Sequence, residues 1–150
     1  LNVLAEGNAK KANKTMYSKI SELRTTTMSK SGEWYMVISC QDNTYKLETH
    51  HVANGEDNIK DTSKFSASRI SLNYYNGDSS TGYDLRNNSL KIQFNKNDGS
   101  CKSVTINDTE KFITENLDAP QFGKIVASVS RNNTYESKLW YKTGRVTTQN

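Results

Sequence analysis

The stretch NAKKANKTMYSKISELRTTTMSKSGEWYMVIS, residues 8 to 39, decides the fold. Its hydrophobic period changes once. Ala9, Ala12, Met16, Ile20, Leu23 and Thr27 recur at steps of three or four, which lines them up on one helical face. Lys11, Lys14, Ser18, Glu22 and Thr25 fall on the other. The spacing predicts a helix from Asn8 to Met28, with Gly7-Asn8 offering a cap. Three consecutive threonines weaken the last turn, because β-branched side chains lose rotamer freedom in a helix. Ser31-Gly32 ends it, with glycine where a left-handed residue closes a helix. From Glu33 to Ser39 the run Trp34, Tyr35, Met36, Val37, Ile38 is aromatic and branched, the composition of a strand.

Downstream, the chain reads as β. Thr44 to Thr49 pairs back as a hairpin, with Tyr45 and Leu47 on one face. His50 to Ser68 is polar and reads as a long connection with turn chemistry at Asn54-Gly55 and a short strand near Val52. Arg69 to Tyr75 alternates through Ile70, Leu72 and Tyr74. Leu90 to Asn95 and Lys102 to Asn107 form a hairpin over Asp98-Gly99. Asp108 to Pro120 leaves room for one helical turn. Lys124 to Ser130 and Tyr135 to Trp140 form a last hairpin across Asn132-Asn133. The expected class is α+β: one N-terminal helix packed on an antiparallel sheet, or on two small sheets. Met16, Ile20 and Leu23 dock the helix, and Trp34, Ile38, Ile92 and Phe94 build the core.

A chain of 150 residues is about one domain. Residues 1–31 would be helix and 32–150 the β region. The hydrophobic fraction of 33% is low, yet two tryptophans and eight tyrosines suffice for a core, which excludes wholesale disorder. The net charge of +4 is mild. Its densest group, Lys10, Lys11 and Lys14, fits a solvated helix face. No apolar run approaches the ~18 residues of a membrane span. The start at Leu1-Asn2-Val3-Leu4 reads as the trimmed tail of a more apolar upstream segment.

The chemistry search is mostly negative. His50 and His51 are adjacent, and neighbours on an extended chain point to opposite faces. No nucleophile elbow and no phosphate-binding loop occurs, so no enzyme is expected, and no cofactor or metal. Asp78 and Asp84, with the hydroxyls between them, offer oxygen ligands for calcium or simply a solvated turn. Four Asn-x-Ser/Thr sequons, at Asn13, Asn87, Asn107 and Asn132, are expected by chance in so Asn-rich a chain. Cys40 and Cys101 would form one bridge in a secreted protein, worth roughly 4 kcal/mol by chain entropy, or remain two buried thiols.

Three segments carry a family resemblance. The helix ends Ile20-Ser-Glu-Leu23-Arg24-Thr-Thr-Thr-Met28-Ser-Lys30-Ser-Gly32 before a strand. Leu90-Lys-Ile-Gln-Phe94 precedes Asp98-Gly99-Ser100 and Val104-Thr-Ile106. The last hairpin runs into Trp140-Tyr141-Lys-Thr-Gly144-Arg145-Val146. In this order they resemble the globular part of type IV pilin-like proteins of the GspH/FimT pseudopilin and minor-pilin type. Leu23-Arg24-Thr25 stands where that family often has Ala-Arg, and the Phe94-to-Gly99 spacing is one residue longer.

The resemblance implies a structural subunit of a type IV pilus or pseudopilus on the cell surface. An apolar half-helix upstream would anchor it in the membrane before assembly, and other pilin subunits would be its partners through the helix. A second reading is a DNA-binding pilin, with Lys138, Lys142 and Arg145 on phosphates. The third is a secreted adhesin or carbohydrate-binding module, with Tyr74, Tyr75 and Tyr83 exposed.

Overall fold

The N-terminal helix outruns its sequence signal. The computed structural model describes residues 2–130 and 133–149, and in it α1 spans Asn2–Ser29. Gly7 and Asn8 are therefore helical and cap nothing. A helical glycine costs about 1 kcal/mol against alanine. Tertiary burial overrides that cost, because Ala5 extends the buried stripe one turn upstream. The stripe then runs Ala5, Ala9, Ala12, Met16, Ile20, Leu23 and Thr27, all buried. Small side chains fill its first half and large ones its second. Thr27 keeps its hydroxyl satisfied inside the helix by donating to Leu23 O at 2.8 Å.

Among the described residues eleven strands follow in chain order. They are β1 Glu33–Gln41, β2 Thr44–Ala53, β3 Glu56–Ser66, β4 Ser71–Asn76, β5 Tyr83–Asp84 and β6 Leu90–Phe94. The rest are β7 Cys101–Ile106, β8 Glu110–Lys111, β9 Phe122–Ser130, β10 Asn133–Trp140 and β11 Val146–Gln149. They make two antiparallel sheets, a larger one in the order β3-β2-β1-β6-β7-β8 and a smaller one β11-β10-β9-β4-β5. The coarse class is thus α+β with one leading helix.

The polar stretch after His50 is not a connection. It completes β2 and forms the whole of β3, an 11-residue strand turning at Asn54 (φ 53°) and Gly55 (φ 78°). β3 is an outer edge of the larger sheet; its first half is exposed on both faces, and in its second half Asp61, Ser63 and Phe65 are half-buried on one. A strand with no fully buried residue is under little pressure to alternate apolar and polar residues. The Asp108–Pro120 span holds β8 and irregular turns instead of a helical turn. At the last hairpin Asn133 opens β10 opposite Ser130, while Asn132 lies outside the described residues.

α1 packs on both sheets, touching β1, β3 and β6 of the larger and β9, β10 and β11 of the smaller. One hydrophobic cluster joins its stripe to Trp34, Met36, Ile38, Tyr45, Leu90, Ile92 and Phe94 on one side and Leu72, Tyr74, Ile125 and Leu139 on the other. Each fully buried large side chain contributes about 1.5–3 kcal/mol. A buried polar pair in the helix seam is matched: Ser137 Oγ donates to Asn13 Oδ1 at 2.8 Å. That burial also seals the Asn13 sequon.

The expected disulfide is absent, and both cysteines are free. The register explains why. Met36 faces Ile92 and Ile38 faces Leu90 across β1 and β6, while Cys101 faces Phe94 across β6 and β7. Cys101 therefore lies at the Trp34 end of the sheet and Cys40 at the other. Six strand residues separate those ends, about 20 Å, far beyond the ~4.4–6.8 Å that a bridge allows between Cα atoms.

Candidate functional site

The two sheets meet at the C-terminal end of α1. Arg24 leaves the helix there, half-buried, and its Nε–H is shared between two backbone carbonyls. It donates to Gly99 O at 2.9 Å and to Thr143 O at 3.1 Å. Gly99 belongs to the β6–β7 hairpin of the larger sheet, and Thr143 to the β10–β11 turn of the smaller.

The two turns press backbone on backbone. Gly144 (φ 72°) approaches Gly99 (φ 74°) so closely that a Cβ on Gly144 would stand 1.8 Å from Gly99 O. Only glycine combines this conformation with this approach. Each turn is braced from within. Gly99 N donates to Asn95 O at 2.9 Å and Gly144 N to Trp140 O at 2.8 Å. Asp98 Oδ1 accepts from Ser100 N and Oγ at 2.9 and 2.6 Å, and these bonds hold its carboxyl below the usual range. One residue on, Cys101 N donates to Tyr141 O at 2.9 Å and ties the sheets directly.

Behind this corner lies a polar pocket in the core. Tyr74 and Tyr141 join hydroxyl to hydroxyl, and Tyr141 donates to Asn76 Oδ1 at 2.8 Å. Gly123 makes the room, since a Cβ there would strike both hydroxyls. Burial pushes the pKa of both phenols upward and that of the Cys101 thiol to about 12.

The helix exit is fixed by three more donors. Trp34 Nε1 reaches Ser31 O at 3.0 Å, His51 Nε2 reaches the same oxygen at 2.9 Å, and Lys96 Nζ bonds Lys30 O. His51 stacks on Trp34 with centroids 4.1 Å apart. His50 points to the opposite face, stacks on Tyr35 and shares Asp57 with the Tyr35 hydroxyl. Among the described residues no cluster of His, Cys, Asp and Glu is arranged to hold a metal. Asp78 reaches Lys124 at 3.8 Å and Asp84 caps its own turn, so they do not converge.

Of the expected phosphate contacts, Lys138 and Arg145 share the outer face of the smaller sheet. Lys142 instead lines a cleft of about 400 Å³ with Cys101, Phe112 and Tyr141. Of the three tyrosines expected at the surface, Tyr74 is fully buried and Tyr83 packs edge-on against Phe112. Only Tyr75 stays on the outer face. Sequence reasoning missed Phe122 and Trp140, which pair across β9 and β10 beneath Lys138. It also missed the role of Arg24. The signal for that role was the lone arginine beside the apolar stripe, with Gly99 and Gly144 in two turns.

No helix among the described residues is long and apolar enough to cross a membrane. Comparisons with family models, curated proteins and solved structures return no match.

Proposed function

We propose that this chain is the globular part of a type IV pilin-like structural subunit, of the pseudopilin or minor-pilin type. One observation carries the reading. Leu23-Arg24, Asp98-Gly99 and Thr143-Gly144, the segments that resemble that family, are far apart in sequence and converge on one corner. There they lock the end of a long leading helix to both sheets. A scaffold needs such a corner, because force along the helix must reach the β region without peeling it off. At the other helix end Val3 and Leu4 are 83% and 72% exposed, apolar surface that neighbouring helices of a filament would cover. The role is non-enzymatic, the place is the cell surface, and the partners are other pilin subunits.

The test is to label surface appendages of the source cells with antibody raised against this chain. Filaments decorated along their length, and a natural precursor with an apolar half-helix upstream, are expected. An ordinary cleaved signal peptide with no such half-helix overturns the reading.

A further inference from the structure

The two sheets end on strands of very unequal length. β8, β5 and β11 are two, two and four residues long, whereas β3 presents an edge of 11 residues. Among the described residues no strand pairs with the outer side of β3. A long open edge is a template for another strand, and proteins blunt such edges with lysines and bulges. β3 carries both. Lys60 and Lys64 lie on it, and its register is bulged, since Ile59 faces His50 and Asp61 faces Thr49 while Lys60 is skipped. These features turn away most strands, but their placement admits one.

The bulge resets which side chains share a face. Before it, Asp57 bonds His50 and Tyr35 on the outer face of the sheet, and Ile59 stands opposite His50 on that same face. After it, Asp61 turns inward to Lys19 of α1 at 2.7 Å, so Thr62 and Lys64 turn outward. Lys60 lines the inner cleft beside Asp61. Asp57 and Lys64 are seven positions apart, and on a regular strand they would point to opposite faces. The extra residue brings them onto one. The outer row is therefore Asp57, Ile59, Thr62 and Lys64, and the inner row is Glu56, Asn58, Lys60, Asp61, Ser63 and Phe65.

These rows match themselves about a two-fold axis. When a second β3 lies antiparallel beside the first, side chains that face each other must share a face of the sheet. With the axis between Lys60 and Asp61 they all do. Asp57 then meets Lys64 of the second copy, Lys60 meets its Asp61, and symmetry repeats both contacts. Four opposite-charge pairs thus form across ten residues of each strand, and opposite charges set across strands are stabilising. Ile59, 53% exposed, is laid against Thr62. Sliding the register by one residue sets outward side chains against inward ones, and sliding it by two in either direction leaves no opposite charges facing. We propose that β3 is the contact surface for a second copy of this chain, joined edge to edge in this register so that the two larger sheets run on as one. The contact is narrow, so the pairing belongs to the weak, concentration-dependent class. It is also isologous and closes on itself, whereas a filament needs contacts that repeat without closing. The proposal therefore stands apart from the scaffold reading and does not rest on it.

Exchanging charges tests the register. Sedimentation at about 500 µM protein and about 20 mM salt should show the parent as a dimer that dissociates as salt rises. Asp57→Lys and Lys64→Glu should each weaken dimerisation about 10-fold or more, because each sets like charges against each other on both sides of the axis. Mixed in equal amounts, the two variants should regain the dimer: the altered positions then face each other, and so do the native Lys64 and Asp57. Melting curves followed by circular dichroism establish that each variant is folded. Hydrogen exchange of the parent gives a readout that needs no variant, since β3 amides should exchange more slowly at about 500 µM than at about 5 µM. Four outcomes overturn the proposal: a parent that sediments as a monomer at low salt, a folded single variant that dimerises like the parent, a mixture of folded variants that stays monomeric, or β3 exchange that is independent of concentration.

Discussion

The two ends of α1 are held in different ways. At the C-terminal end, Met16, Ile20 and Leu23 are fully buried, Arg24 grips two carbonyls, and Trp34, His51 and Lys96 fix the exit. At the N-terminal end the seam is made of alanines, Tyr135 donates one hydrogen bond to Glu6, and Val3 and Leu4 face solvent. Buried apolar contact and directional ties coincide at one end and are sparse at the other. Stability is therefore graded along a single helix, as local opening energies are graded across proteins.

The largest test of that contrast is a buried charge. Leu23→Asp should cost about 4 kcal/mol or more, because it removes packing and places a carboxylate in an apolar seam. Leu4→Asp should change stability by under about 0.5 kcal/mol. Thermal unfolding of both by circular dichroism reads the difference, and equal losses would break the comparison. Next come two glycines expected to move stability in opposite directions. Gly144→Ala should lose about 3 kcal/mol through left-handed strain, with collision against Gly99 O adding to it. Gly7→Ala, where no atom lies within 4 Å of the added Cβ, should gain about 0.5–1 kcal/mol of helix propensity. Urea denaturation gives both signs.

Alkaline pH probes the buried acids behind the anchored corner, together with Tyr35 and Tyr45 of the larger sheet, whose phenols burial also raises. The Cys101 thiol is raised from 9.0 to about 12, and the Tyr74 and Tyr141 phenols are raised above 10.0. These acids release their protons more easily in the unfolded chain. The unfolded state therefore binds fewer protons above pH ~9, and stability falls as pH rises. The melting temperature should begin to drop above about pH 9 and keep falling through pH 12; a flat profile to pH 12 would deny that burial. A further small effect lies away from the helix. Thr105 Oγ1 is buried with no partner among the described residues. Thr105→Val should raise stability by about 1 kcal/mol in the same denaturation assay.

What the sequence disclosed follows from where each signal resides. The helix face was readable from Ala9 to Thr27, because one buried stripe imposes the 3.6 period. Its first turns were not, since Gly7 is a local breaker and Ala5 is buried by partners distant in the chain. β1 announced itself through Trp34, Met36 and Ile38, which alternate inward. β3 did not, because an edge strand with no fully buried residue is under little of that constraint. The cysteine pairing failed for a different reason: spacing along the chain says nothing about which end of a sheet a residue reaches. The Arg24 corner was hidden because its acceptors are backbone carbonyls, and any residue type carries those. Trp140 over Phe122 needed the exact hairpin register, which a turn at Asn132-Asn133 leaves uncertain by one residue.

Arg24 is joined to residues 75 and 119 positions further along the chain. The ribosome makes the helix first, yet β9, β10 and β11, which cover much of its stripe, come last. Until they emerge, Met16, Ile20 and Leu23 have only part of their partners. The stripe is therefore completed only once these strands have been made, and until then it stays partly uncovered. Partly covered apolar surface of this kind is what makes incompletely folded chains prone to aggregate.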